Sequence, residues 1–327
     1  MERDNTFDIM KGIGILLVLL GHVWGIPHTN HVITSFHMPL FFIIAGYFSH
    51  SFKDYEVASI PSVIAKYARR LVPPFVVTTI ITAVFFAALA VVKGDWNPVI
   101  TQCLALLWAD VCVLPTPWGG VSIGVVWFLL ALFWAKTFLL LFSRWERWVL
   151  PISIALSIMA LLLHYVFPYS VWCLSLGLIA FPFVAIGWWV RRHSLPWWVY
   201  AICIVCWIAA IAYSSLDMYE YTLGCYPLDV IGACGGTLCV YWLSKGINMA
   251  KGWGQWIPAT FAYLGRISLA IMCVHCFEIA THMGSHLVAL TPWAPLPLWA
   301  MYIVRYVLTI LIAIAVVHTP YLKKVFA

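Results

Sequence analysis

The sequence predicts an all-α fold: a polytopic transmembrane helical bundle of about ten spans with cytoplasmic N- and C-termini. Three observations predict it. Of 327 residues, 64% are hydrophobic and only 9% charged, against about 25% charged in soluble domains. Apolar runs of spanning length recur along the chain, without the alternating ten-residue pattern of a membrane β-barrel. Basic residues also fall almost entirely on one side of the resulting topology, as the positive-inside rule requires.

The candidate spans are residues 7–25, 32–50, 71–92, 121–142, 149–166, 171–190, 196–214, 224–244, 259–280 and 297–318. The first lacks an A-x-A-like exit and leads straight into the second, so it reads as a span and not a cleavable signal. Residues 97–114 are a further apolar stretch, and charge decides how it is read. If it does not cross, Arg3, Lys53, Lys66, Arg69, Arg70, Arg144, Arg147, Arg191, Arg192, Lys245, Lys251, Lys323 and Lys324 are all cytoplasmic, and only Lys93 lies in an outer loop. If it crosses, every later loop inverts. Residues 97–114, with Asp110, are therefore expected to be re-entrant or to lie at the outer interface. Residues 1–327 read as a single integral-membrane domain, with residues 51–70 a cytoplasmic basic loop.

The formal charge of +6 is modest. Its distribution matters more than its size; the partner that the apolar composition implies is the lipid bilayer, and no nucleic acid is expected. The expected location is the cell inner (cytoplasmic) membrane, in multi-pass form. Ten cysteines include two C-x-x-C pairs, Cys203/Cys206 and Cys273/Cys276. Both lie in apolar helical runs, where cysteine packs as a small hydrophobe, so no metal is expected.

Ionisable residues inside membrane helices are costly and mark functional sites by default. Assigning depth along each span separates them into two layers. Lys11, Lys136 and Arg266 fall in the inner third, with Lys66, Arg69 and Arg70 at the inner surface. His22, His37, His275 and Glu278 fall in the outer half, Asp229 slightly nearer the outer face, and Arg305 near mid-membrane. Lys11 and His22 share the first span, and eleven residues of helix rise roughly 16 Å. Structural readings stand beside these. Arg69 and Arg70 also fit topology determinants facing anionic lipid heads. Glu278 and Asp229 also fit neutralisers of Arg305 or Arg266.

A cytoplasmic cation cluster suits a phosphate-bearing ligand. An outer histidine suits a general base or an acyl carrier. Together they fit group transfer from an inner donor to an outer acceptor. They equally fit a proton-coupled transporter of a small anion or lipid-linked sugar, in which His and Glu relay protons. A sensor or structural membrane protein is a further alternative.

The chain resembles the membrane acyltransferase-3 family, most of all its short, fucose O-acetylase-like members. The resemblance rests on Asp8-Ile9-Met10-Lys11-Gly12 through Leu20-Gly21-His22, which matches the family's basic-x10-His element. Lys66 and Arg69 match its basic-x-x-basic element. Phe41-Phe42-Ile43-Ile44-Ala45-Gly46 resembles its F-F-x-x-S-G, with Ala45 in place of serine. Trp127 to Phe133, and Leu264-Gly265-Arg266 to His275, resemble two later elements. The resemblance implies acyl-CoA as donor, usually acetyl-CoA, and a hydroxyl of a carbohydrate, lipid-linked glycan or other cell-envelope acceptor. It implies His22 as the catalytic residue, with His37, His275 and Glu278 as its candidate partners. Lys11, Lys66, Arg69 and Arg70 are then the donor contacts, with Lys136 and Arg266 as further candidates. Larger relatives carry a fused extracytoplasmic domain that this sequence lacks. The acceptor is then expected to come to the membrane, or an extracytoplasmic partner or a second copy of the chain to complete the transfer.

Overall fold

The computed structural model describes residues 4–22, 27–250, 254–289 and 296–326. Arg3, Lys251 and the predicted end of the first span at residues 23–25 lie outside the described residues. The chain is nearly all helical. In order the helices are α1 (Thr6–Gly21), α2 (Pro27–Thr34), α3 (His37–Tyr47), α4 (Ile60–Lys93), α5 (Asn97–Trp108), α6 (Trp127–Phe142), α7 (Val149–Val166), α8 (Leu174–Val190), α9 (Trp197–Tyr213), α10 (Tyr226–Asn248), α11 (Trp256–Arg266), α12 (Ser268–Thr281), α13 (Met283–Ala289), α14 (Leu298–His318) and α15 (Pro320–Phe326). Two short antiparallel hairpins accompany them, β1 (Leu114–Thr116) with β2 (Gly119–Val121), and β3 (Leu216–Asp217) with β4 (Thr222–Leu223).

Among the described residues, five helical stretches are long and apolar enough to cross a membrane: His31–Asp54, Val57–Lys93, Gly124–Val166, Tyr226–Asn248 and Trp299–His318. The pair α11 and α12 makes a sixth if counted as one span, and α8 and α9 are shorter apolar helices. The protein is a multi-pass membrane protein.

Local chemistry explains where the helices stop. Gly94, at φ +76, follows the last residue of α4, a left-handed position that glycine takes without steric cost. The Asp95 carboxylate accepts the Asn97 N–H at 3.0 Å, and Pro98 stands in the first turn of α5, where its missing N–H costs nothing. Two of the expected spans carry an internal irregularity, a turn within the continuous stretch His31–Asp54 and a 66° bend between α11 and α12. Residues 32–50 divide at Ser35 and Phe36, where the Ser35 hydroxyl donates to the Val32 carbonyl at 2.6 Å. Residues 259–280 divide at Ile267, whose N–H turns back to the Tyr263 carbonyl.

The expected basic loop at 51–70 also needs correction. It consists of two 3-10 turns, Phe52–Asp54 and Val57–Ser59, and then α4 from Ile60 onward. Ile60 and Val63 are buried with Leu140, and Tyr55, Ile64 and Tyr67 pack on them. That apolar patch holds the segment as helix despite its polar composition.

The chain forms two compact units. The first comprises residues 1–67, 131–166 and 175–268. Within it, α1 packs against α10, α11 and α3, and α10 against α9. The crossing of α3 and α8 is too close for side chains at two positions. A Cβ on Gly46 would collide with the Val184 carbonyl, and one on Gly187 with the Ile43 carbonyl. The Ala45-Gly46 end of the F-F motif is thus where the backbones of α3 and α8 touch.

The second unit comprises residues 68–130, 167–174 and 269–327. Here the stretch 97–114 is α5, of 12 residues, followed by the start of the first hairpin. Twelve residues rise about 18 Å, short of the hydrocarbon thickness. Asp110, fully buried, ties this segment down. One carboxylate oxygen accepts the Val111 N–H at 2.8 Å, and the other accepts Ser170 N–H at 3.0 Å.

Candidate functional site

Helix α1 carries the site's long axis. The Phe7 ring lies 4.7 Å from the Tyr47 ring and 4.9 Å from that of Phe48, centroid to centroid. The start of α1 therefore meets the end of α3, and the two helices run antiparallel. His22, just past the end of α1, and His37, at the start of α3, lie at the same end of the unit. Lys11 lies toward the other.

At the Lys11 end, α1 crosses α11. A Cβ on Gly12 would collide with the Phe261 carbonyl, and one on Gly265 with the Asp8 carbonyl. Each glycine adjoins a basic residue, so the crossing sets Lys11 and Arg266 beside each other. Asp8 lies between them. Its carboxylate accepts from Lys11 Nζ at 2.7 Å, and its second oxygen lies 4.0 Å from Arg266 Nη1. The Asp8 side chain is 11% exposed, that of Lys11 29% and that of Arg266 43%. Two cations on one carboxylate leave a net single positive charge, with both cationic heads reachable. Asp8 is a site residue that the sequence did not single out. Its signal was the repeated glycine–basic adjacency, Lys11-Gly12 and Gly265-Arg266.

Elsewhere in the same unit, Lys136 Nζ stands 4.6 Å from the centroid of the Tyr67 ring, a cation–π contact. Lys66 is exposed on the first part of α4. Arg69 and Arg70 follow on the same helix, in the second unit, and are also exposed. Positions i, i+3 and i+4 share one face, so the three form a basic stripe along α4.

At the other end, His22 caps α1: its backbone N–H reaches Leu19 O at 3.2 Å, and its side chain is exposed. The described part of α1 ends at Gly21. His37 Nδ1 is 2.8 Å from the Ile33 carbonyl. A carbonyl can only accept, so Nδ1 carries the hydrogen and Nε2 is the basic nitrogen of the neutral ring. A third histidine, His31, bonds through Nε2 to the Ile211 carbonyl at 3.0 Å. Asp229, which the sequence offered as a neutraliser of an arginine, accepts the Cys225 N–H at 3.2 Å and closes the start of its own helix α10.

His275 and Glu278 fall in the second unit, on α12. Glu278, 1% exposed, takes a bidentate pair from Arg305, with Nε to Oε1 at 2.7 Å and Nη2 to Oε2 at 2.9 Å. The Arg305 guanidinium also lies 5.5 Å from the Tyr302 ring. A Cβ on Gly284 would press on Arg305 Cγ at 2.8 Å and Glu278 Oε1 at 3.2 Å, so the glycine leaves room for the pair. His275, 1% exposed, sits 6.2 Å from the Tyr306 ring. The structure thus brings Glu278 to Arg305, one of the pairings that the sequence left open.

Chemically, the first unit offers a cationic end able to hold phosphate and a histidine end able to take a proton or an acyl group. Helix α1 joins them. Over 58 residues the chain is 45% identical to the nodulation protein NolL of Sinorhizobium fredii, covering 14% of this chain and 16% of that protein. No solved structure matches. The sequence profile of the acyltransferase domain matches residues 4–318, nearly the whole chain, and the chain belongs to the membrane acyltransferase-3 family.

Proposed function

We propose that this membrane acyltransferase is an O-acyltransferase. It moves an acyl group, acetyl in the simplest case, from cytoplasmic acyl-CoA to a hydroxyl of a carbohydrate or cell-envelope acceptor, such as a lipid-linked glycan. The observation that carries this reading is the polarity of α1. The Lys11–Asp8–Arg266 cluster stands at one end and His22 at the other, with His37 beside the same end. The topology that goes with it has about ten spans and both termini in the cytoplasm of an inner-membrane protein. This requires α1, α8 and α9 to cross as well, and α6 and α7 to count separately.

In this reading the CoA phosphates meet Lys11, Arg266, Lys66, Arg69, Arg70 and Lys136 from the cytoplasm. The pantetheine arm extends along the bundle and presents the thioester toward His22. If His22 is the base, it takes the proton of the acceptor hydroxyl as the oxygen attacks the thioester carbonyl. The C–S bond breaks, and the CoA thiolate leaves and recovers that proton. If His22 is the carrier, its ring nitrogen attacks the thioester carbonyl, the C–S bond breaks and CoA thiolate leaves; the acceptor hydroxyl then attacks the acyl-imidazole, the C–N bond breaks, and the hydroxyl proton passes to the thiolate. His37, with Nε2 as its basic nitrogen, supports either course from the same end of the unit.

The acyltransferase family match over residues 4–318 supports an enzyme over a proton-relay transporter. Glu278, the carboxylate a relay would use, has both oxygens engaged by Arg305. The test is acyl transfer from radiolabelled acetyl-CoA by purified protein in nanodiscs, with mass spectrometry of envelope glycans for the ester. Arg69→Ala should raise KM for acetyl-CoA about 10-fold or more, for one lost charge-assisted contact. Proton-coupled uptake into liposomes without acyl transfer would overturn the reading.

A further inference from the structure

We infer that Asp8 is a positioning residue that aims Lys11 and Arg266 together at one phosphate group of the donor. The inference rests on the donor reading above and deepens it, because nothing in that reading gives the acid a role. Three observations carry it. Asp8 is nearly buried while both cations beside it are partly exposed. It accepts from Lys11 at 2.7 Å with one oxygen and faces Arg266 at 4.0 Å with the other. Its backbone lies at the close crossing of α1 and α11, where a Cβ on Gly265 would collide with the Asp8 carbonyl, so the residue bearing the carboxylate sits between the two cations.

A lysine on a four-carbon stem is a mobile point charge with considerable rotamer entropy. Left alone at a helix surface, Lys11 would lose that entropy on binding an anion. Held by Asp8, it has already lost it. Preorganisation of this kind raises affinity by lowering the ordering cost. The arrangement also balances charge. Two bare cations side by side repel, and one carboxylate between them removes that repulsion while leaving a net positive face for the ligand.

The sign of the effect separates this role from simple electrostatics. Removing a negative charge beside a phosphate site would by Coulomb's law alone tighten phosphate binding. Removing a positioning group weakens it. The experiment measures kcat and KM for acetyl-CoA with the full chain in nanodiscs, comparing wild type with Asp8→Asn, Asp8→Glu, Lys11→Gln and Arg69→Ala. Thermal unfolding of each variant is followed in parallel. For Asp8→Asn, KM should rise about 2- to 5-fold, the scale of a partly exposed ion pair, with kcat held. Should that variant not fold, Asp8→Glu carries the test. It keeps the charge but displaces Lys11, so a raised KM with kcat held supports the role.

A folded Asp8→Asn protein whose KM is unchanged or lowered, while Lys11→Gln raises KM, overturns the inference and leaves the donor site standing. An equal fall in kcat with KM untouched also overturns it, because it would place Asp8 in the chemical step. If Lys11→Gln and Arg69→Ala leave KM unchanged as well, the donor reading itself fails.

Discussion

The carbonyl oxygen of Asp8 occupies the space where a side chain on Gly265 would stand. With Gly12 meeting Phe261 in the same way, this contact draws α1 and α11 together and brings Lys11 to Arg266. Gly265→Ala should therefore push the helices apart. Forcing a methyl into such a crossing costs typically about 1–3 kcal/mol. The expected outcome is a lowered unfolding temperature together with a raised KM for acetyl-CoA. An alanine variant with both values unchanged would show that the crossing is looser than described.

The Glu278–Arg305 pair yields a second prediction. Removing one partner of a buried pair strands the other charge, which costs about 3–5 kcal/mol. Arg305→Ala should thus be strongly destabilised, as followed by thermal unfolding in detergent. Glu278→Gln combined with Arg305→Met removes both charges and should recover most of that loss. The double variant also separates structure from chemistry: full transfer activity would make the pair structural, and a folded but inactive protein would give Glu278 a direct part.

How much of this was legible in the sequence follows from what hydropathy measures. It reports the cost of transferring residues into lipid, so it found helices of spanning length such as those at 71–92, 224–244 and 297–318. It carries no information on backbone direction. The turn at Ser35–Phe36 and the bend at Ile267 fall where Thr34, Ser35 and His37, and Arg266 and Ser268, interrupt the apolar runs, but windowed hydropathy averages over them. The separation of Lys11 from His22 was readable because helix rise is fixed per residue. The Asp8 pairing was not, because it depends on α11, some 250 positions later in the chain. The stripe Lys66, Arg69 and Arg70 read as loop from its charge, whereas Ile60 and Val63, buried with Leu140, make it helix.

A third prediction concerns pH at the N-terminus. One Asp4 oxygen accepts from the Thr6 hydroxyl at 2.6 Å, the Thr6 N–H at 2.9 Å and the Asn248 amide at 3.0 Å. The Thr6 hydroxyl, and then its N–H, hold the Asp4 carboxyl below the usual carboxylate value. A carboxylate depressed in the folded state adds stability above its unfolded pKa and loses it as pH falls through the folded value. Asp4→Ala should therefore unfold at lower temperature than wild type near neutral pH. The gap should close under acid, when the wild-type carboxylate is protonated. A gap independent of pH would mean that the ionised group contributes nothing there.

The central claim is that the histidine end of α1 performs the transfer and the cationic end binds the donor. Single-turnover acyl transfer by His22→Ala, measured alongside acetyl-CoA binding on the same folded preparation, tests it most directly. Loss of a general base costs about 10²–10⁴ in rate, and loss of an acyl carrier should abolish turnover. In both cases acetyl-CoA binding should stay near wild type, because the proposed phosphate contacts lie at the Lys11 end. An acyl adduct trapped on His22 in the wild type would assign the carrier role, and its absence at single turnover would assign the base. A folded His22→Ala protein that transfers at near wild-type rate would contradict the account.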